Sequence, residues 1–146
     1  ANLNESLFKE LNSLSYYKEK PPKSLGLEWV QKHIIPLIDR YEDDIPTILR
    51  TTIEHAAYQI GKSMLKKGNV LYTGGGVFNV FLMKRIEFFT QQRVVLTEKV
   101  LIEYKEALIF AFLGVLRKDN KVNCLASVTG ASCDHSSGDI FSAELS

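Results

Sequence analysis

Apolar residues recur three or four apart along most of this chain, and two short apolar runs interrupt that rhythm. Leu3, Leu7, Leu11 and Leu14 predict a first helix over 2–14. Pro21, Pro22 and Gly26 forbid its continuation. Ser24 is then the expected N-cap of a helix carrying Leu27, Val30, Ile34 and Ile38 on one face. Trp29 lies off that stripe and is expected to be partly buried against a neighbour. Asp44, just ahead of Pro46, opens a long helix running to about Lys67, with Leu49, Ile53, Ala56, Ile60 and Met64 in line. Ala56, Ala57 and Gly61 are small enough for close packing on a sheet. His55 falls off the stripe and reads as a partly exposed helix residue, not a catalyst. Lys66, Lys67 and Gly68 are a helix stop.

The period then changes. Val70, Leu71 and Tyr72 form a short apolar strand, Gly74, Gly75 and Gly76 a turn, and Phe78, Phe81, Leu82, Ile86 and Phe89 the apolar face of a helix. Residues 93–97 are a second strand, expected to be buried, and Thr97 is the expected cap of a helix starting near Val100. That helix lines up Leu101, Tyr104, Leu108, Ala111 and Val115; from 107 to 116 it is apolar all round, which predicts burial on most sides. Residues 123–146 are mostly loop, with a short strand expected near 139–143. Helices alternating with short strands imply an α/β fold: helix-rich, one domain over 1–146, with a short, mostly parallel sheet flanked by helices.

Composition narrows this only modestly. The 146 residues suffice for a real core, and 45% hydrophobic with 24% charged content is that of an ordinary soluble protein. A net charge of +1 with no basic run gives no footprint for nucleic acid, and the ten-residue apolar run at 107–116 is too short to span a bilayer. No signal peptide is visible, so the cytoplasm is the default. The opening Ala1-Asn-Leu-Asn, with no initiator methionine, suits a segment of a longer protein. Cys124 and Cys133 make no disulfide framework, and with Asp134 and His135 they lack the paired spacing of a structural zinc site, so no metal is expected there.

Three consecutive glycines between strand and helix need a physical reason: positive φ, or close approach of another group. Backbone N–H groups at such a turn suit a nucleotide phosphate or ribose. A tight packing turn is the plain alternative. Gly74-x-Gly76 with Glu98 beyond the next strand also suits a dinucleotide fold, but Asn79 replaces the third glycine of that fingerprint.

Thr73-Gly-Gly-Gly-Val-Phe-Asn-Val-Phe-Leu-Met83 resembles the glycine turn of the anhydro-N-acetylmuramic acid kinases, of the sugar kinase, hsp70 and actin superfamily. Pro21-Pro-Lys-Ser-Leu-Gly26 with Glu28, Lys105-Glu-Ala-Leu-Ile-Phe-Ala-Phe-Leu113, and Ser127-Val-Thr-Gly-Ala131 resemble further stretches of that family in the same order. The resemblance implies the C-terminal lobe of an actin-like, ribonuclease H-like ATPase fold. It also implies an enzyme that uses ATP with Mg2+ and water to turn 1,6-anhydro-N-acetylmuramic acid into N-acetylmuramic acid 6-phosphate during peptidoglycan recycling. The family's phosphate-binding Gly-Thr-Ser-x-Asp-Gly turn and catalytic aspartate belong to the N-terminal half and are absent here. This chain alone is therefore expected to bind weakly and turn over nothing.

By the same resemblance Thr73, Gly74, Gly75, Gly76, Phe78 and Asn79 would border ATP, and Glu106 would reach the sugar. For Glu106 the alternative is a first-turn acid favoured by the helix dipole. Val77 and Phe78 depart from the family's usual Ala followed by His, Arg or Tyr; Phe78 either stacks on adenine or packs. Lys23 and Ser24 are either substrate-side loop residues or plain caps, the latter being expected, and Thr129 is expected to be a turn residue. Implied partners are the missing N-terminal lobe and a second copy in a homodimer. The rivals are a kinase of another small sugar, a non-catalytic nucleotide-sensing module, and a dinucleotide-dependent oxidoreductase.

Overall fold

Asn4 starts the first helix by accepting a hydrogen bond from Leu7 N on its side-chain oxygen (2.8 Å), and α1 runs Glu5–Ser13. The computed structural model describes residues 1–20, 23–64 and 70–141. The chain divides into two compact units, Ala1–Thr97 and Glu98–Ser146.

In the first unit α1 buries Leu7 and Leu11, as its spacing predicts. After a 3-10 turn at Ser15–Lys18, a helical stretch comprises α2 (Leu27–Trp29), a π-helical Val30–Ile34 and α3 (Ile35–Ile38). Leu7, Leu11, Ile34 and Leu37 form one core cluster, with Trp29, Val30 and Tyr41 packed against it. Trp29 is half-buried as expected, 5.1 Å from the rings of both Tyr16 and His33. Ser24 is not the cap: Gly26 occupies that position without a side-chain bond. Lys23 instead donates to the Tyr16 carbonyl (2.7 Å). Pro21 and Pro22 lie outside the described residues.

Asp44 caps α4 (Ile45–Ser63), accepting from Thr47 N at 2.6 Å, as the Asp-x-Pro pattern predicts. Its buried face differs from the expected stripe. Leu49 is exposed, whereas Thr51, Glu54, His55 and Ala57 are buried. Gly61 does permit close packing, but on a helix: a Cβ there would lie 2.9 Å from Phe89 Cβ on the helix that spans Val80–Thr90. The expected stop at Lys66, Lys67 and Gly68 lies outside the described residues.

The sheet is small. Strands β1 (Leu71–Tyr72) and β2 (Val95–Leu96) pair in parallel, Leu71 with Val95 and Tyr72 with Leu96. Between them runs α5 (Val80–Thr90), followed by Val94 N donating to Glu87 Oε1 (2.8 Å) on the way into β2. A helix-rich α/β unit with a parallel pair is what the alternating pattern predicts. The expected burial of the second strand is not found: Val95 and Leu96 are both about half exposed.

In the second unit α6 spans Lys99–Lys118, entered through Glu98 rather than Thr97, and without a side-chain cap. Ile102 is buried; Tyr104, Leu108 and Val115, expected inside, are exposed. The following loop is tied down by Asn123, whose Nδ2 donates to Leu113 O (3.3 Å) and Ser137 O (3.0 Å) and whose Oδ1 accepts from Ser137 N (2.7 Å). Arg117 Nε donates to Gly138 O (2.7 Å). Cys124 and His135 form an antiparallel bridge, and a short helix, α7, occupies Ala126–Thr129. The strand expected near 139–143 is absent over 139–141, and its remainder lies outside the described residues. Among the described residues no helix is long and apolar enough to cross a membrane.

Candidate functional site

The three glycines do not run straight into a helix. Gly74 has φ 87° and ψ 165°, a conformation only glycine adopts readily, and this turns the chain out of β1. Gly75–Phe78 then forms one 3-10 turn, closed by Val77 N donating to Gly74 O and Asn79 N to Gly76 O, both at 3.1 Å. Val77 is buried and anchors the turn, while Phe78 is 54% exposed. Asn79 is the N-cap of α5, its Oδ1 accepting from Leu82 N at 3.0 Å. Its Nδ2 is left as a donor for another group.

Among the described residues, nothing lies within 4 Å of where a Cβ would sit on Gly74 or Gly75. Gly74 is required by its positive φ, whereas Gly75 has neither a positive φ nor a close neighbour among the described residues. Beside them is an apolar recess of about 370 Å³, lined by Ile60, Met64, Leu71, Thr73, Gly76 and Leu82 among others. Thr73 Oγ1 is buried with no hydrogen-bond partner among the described residues. A buried hydroxyl without a partner is uncommon and calls for a ligand, water or further chain. The turn therefore gathers Thr73, Gly74, Gly75, Gly76, Phe78 and Asn79 into one place: open backbone, one exposed ring, one amide and an apolar recess. That combination can accept a flat ring and a polar ribose or phosphate.

Glu106 belongs to the second unit. It is exposed and sits well inside α6 rather than in its first turn, so neither dipole capping nor the penalty of a buried carboxylate accounts for it. Thr129 is a turn residue, its hydroxyl donating to Leu125 O (2.9 Å) and accepting from Ala131 N (3.3 Å).

His55 corrects the sequence reading most sharply. It is buried, with Nδ1 2.9 Å from Asn12 Oδ1 and Nε2 2.9 Å from the Tyr17 hydroxyl. Asn12 Oδ1 can only accept, and Gln59 Nε2 also donates to it (2.6 Å), so Nδ1 carries the proton and Nε2 accepts from Tyr17. Burial pushes the imidazole down to about 4, so it is neutral at pH 7. The preceding residue, Glu54, receives Arg85 through Nε (2.7 Å) and Nη2 (2.5 Å) and also pairs with Arg50. Burial alone would raise the Glu54 carboxyl; the two guanidinium groups outweigh it and hold it below the usual carboxylate value. This network brackets the side of α5 behind the glycine turn, because Arg85 lies on α5 and Arg50 stacks 4.6 Å over Phe81. The Arg50–Glu54 spacing is legible in sequence as an i,i+4 pair, but Arg85 as the second partner is not.

A family profile for anhydro-N-acetylmuramic acid kinase matches residues 1–143. The chain belongs to this family. It is 33% identical to the anhydro-N-acetylmuramic acid kinase of Clostridioides difficile (strain 630) over 144 residues, covering 88% of this chain and 37% of that protein. The corresponding kinase of Francisella tularensis subsp. novicida is 31% identical over 136 residues, covering 86% of this chain and 36% of that protein. A third, from Mannheimia succiniciproducens, is 29% identical, covering 95% and 41% respectively. The chain thus spans well under half the length of the curated relatives it matches.

Proposed function

We propose that this chain is the C-terminal, nucleotide-binding lobe of a two-lobed, actin-like kinase that uses ATP and water to convert 1,6-anhydro-N-acetylmuramic acid into N-acetylmuramic acid 6-phosphate in peptidoglycan recycling. The observation that carries this reading is the family match across residues 1–143, which includes the glycine turn and α6 together. The geometry of the turn fits a nucleotide. Gly74 and Gly75 leave the backbone open to the ribose and α-phosphate, and Asn79 Nδ2 is available as a donor. Phe78 offers a ring face, and the neighbouring apolar recess suits a purine. Thr73 Oγ1, without a hydrogen-bond partner among the described residues, gains one from the nucleotide.

No residue from Thr73 to Asn79 carries a carboxylate, so Mg2+ would arrive on the nucleotide phosphates rather than on this turn. Glu106, exposed on α6, supplies the contact to the sugar. The N-terminal lobe brings the phosphate turn and the catalytic aspartate, and closure of the two lobes excludes all water but the reacting one. This chain's part is to bind and orient; alone it transfers no phosphoryl group. The active protein is a cytoplasmic homodimer in this reading.

The site is tested by an NMR titration of the chain with Mg·ATP, using NADH as control. Shifts at Gly74, Gly75, Gly76 and Asn79 with ATP only are expected; shifts with NADH only would overturn the nucleotide assignment. The function is tested by replacing the matching part of the Clostridioides difficile kinase with residues 1–143. A folded chimera that fails to phosphorylate the anhydro-sugar while the parent does so would refute the reading.

A further inference from the structure

The helix that follows the glycine turn is held on α4 by contacts that repeat in one register. Arg50 stacks 4.6 Å over the ring of Phe81. Arg85 forks onto the Glu54 carboxylate through Nε (2.7 Å) and Nη2 (2.5 Å), and the rings of Tyr58 and Phe89 meet edge to face at 5.4 Å. The partners in each rung stand 31 positions apart, and successive rungs are four residues apart on both helices. A single register kept over about two turns means that α4 and α5 run side by side in the same direction. Every residue of this ladder and of the glycine turn lies within Ala1–Thr97.

Glu54 is the rung that joins the others. Its side chain is buried, and its two oxygens take Arg85 and Arg50 together, so both guanidinium groups are drawn to one point on α4. Arg50 lies over Phe81, two residues after the Asn79 cap, and Arg85 lies over Phe88 (4.1 Å) and Phe89 (5.3 Å). A forked guanidinium–carboxylate pair fixes orientation as well as distance, which contact between apolar helix surfaces does not. Sliding or rotating α5 would break that pair, and the turn moves with the helix. Asn79 Oδ1 holds Leu82 N, and Asn79 N donates back to Gly76 O. The glycines themselves have no side chains with which to hold a position.

We propose that Glu54 is a positioning residue for the nucleotide: through Arg85 and Arg50 it sets the placement of α5, and with it the Gly74–Gly76 backbone that meets the ribose and α-phosphate. This rests on the nucleotide-binding reading above and names the support of that site. With a neutral amide in place of the carboxylate, two mostly buried guanidinium groups lose the anion that draws them together, and they part. The nucleotide is then held less well in ground state and transition state alike, which raises KM for ATP and leaves kcat in place.

The test uses the Clostridioides difficile kinase carrying residues 1–143 in place of its matching part, with NMR on the chain itself. Glu54→Gln should raise KM for ATP by about 10-fold or more, with kcat and KM for the anhydro-sugar within about twofold of the parent. Arg85→Lys keeps the charge and loses the fork, and should raise KM for ATP by a smaller factor. Leu7→Ala is the control for stability alone, because Leu7 packs with Leu11, Ile34 and Leu37. It should lower the folded fraction and leave KM for ATP unchanged. In the chain without nucleotide, the amide resonances of Gly74, Gly75, Gly76 and Asn79 should move in Glu54→Gln and Arg85→Lys and stay in place in Leu7→Ala.

A folded Glu54→Gln protein with the parent's KM for ATP and unmoved turn resonances would overturn the proposal. So would an equal rise in KM for ATP in Leu7→Ala. If Glu54→Gln does not fold, Arg85→Lys with the parent's KM and turn resonances overturns it alone. The nucleotide reading fails separately: turn resonances that respond to Glu54→Gln but to no nucleotide would refute the ligand and keep the coupling of Glu54 to the turn.

Discussion

Residues Ala1–Thr97 and Glu98–Ser146 carry similar apolar periodicity and use it in opposite ways. In the first unit, α4 has a mediocre stripe, yet its inward face is closed: Thr51, Glu54 and His55 are buried because each meets a polar partner from α1, α5 or the 3-10 turn. In the second unit, α6 has the most apolar run in the chain and leaves most of it in the open. The polar contacts there secure the loop after the helix, through Asn123 and Arg117, rather than the helix face. Burial follows the presence of a partner surface, and a polar side chain with a satisfied hydrogen bond can be a better interior residue than a leucine with nothing to pack on.

Truncation should break the comparison most visibly. Leu7→Ala, at a fully buried position, is expected to cost about 4 kcal/mol. Leu108→Ala, the same change on α6, should stay within about 0.5 kcal/mol. Urea denaturation followed by Trp29, the only tryptophan, reports the first unit, and far-UV circular dichroism follows the helices of both, so a transition seen by circular dichroism and not by Trp29 belongs to the second. Equal losses at the two leucines would mean that α6 is covered within this chain after all.

Glu54→Gln comes next, at about 3 kcal/mol in the same titration, because Arg85 and Arg50 lose the charge they share. The pH dependence is somewhat smaller. His55 has its imidazole lowered from 6.5 to about 4, so the unfolded chain binds this proton first as the medium is acidified. Its contribution is complete above about pH 6.5 and is lost progressively toward pH 4, by roughly 2–3 kcal/mol. Glu54, also lowered, acts in the same direction once the pH falls through the carboxylate range. Stability measured across this window should slope upward with pH, and His55→Gln should flatten the slope between pH 6.5 and 4. Smallest is Gly61→Ala: its Cβ would crowd Phe89 on α5, and the gain in helix propensity offsets part of the strain, leaving a loss of about 1 kcal/mol. A stabilised Gly61→Ala variant would show that α4 and α5 approach less closely than the geometry requires.

Much of the local structure was legible. Leu7 and Leu11 on α1, the Asp44 cap before Pro46 and the strand–glycine–helix order around Gly74 all follow from spacing and cap chemistry. The family was legible too, from four motifs in order, and it is the match over residues 1–143 that establishes it. Cap identities were read less well. Ser24 and Thr97 have the right chemistry but stand away from the helix starts at Leu27 and Lys99, because helix entry depends on backbone direction as well as on an available hydroxyl. Within the candidate site, the glycines announced themselves, but the orphaned Thr73 hydroxyl and the recess beside it require three-dimensional neighbours to be seen.

What the sequence determined by itself is therefore local: where helices and strands form, where φ must be positive, and which kinase family this chain belongs to. These depend on residues within a turn or two of one another, or on motifs kept in order. What only the tertiary structure decided is which faces are inside. His55 became a buried, neutral imidazole because Asn12 and Tyr17, both more than thirty residues away, supply its two hydrogen bonds. Leu108, on a stripe of the same periodicity, is exposed. Burial is a property of pairs of surfaces, and a one-dimensional pattern records only one member of each pair.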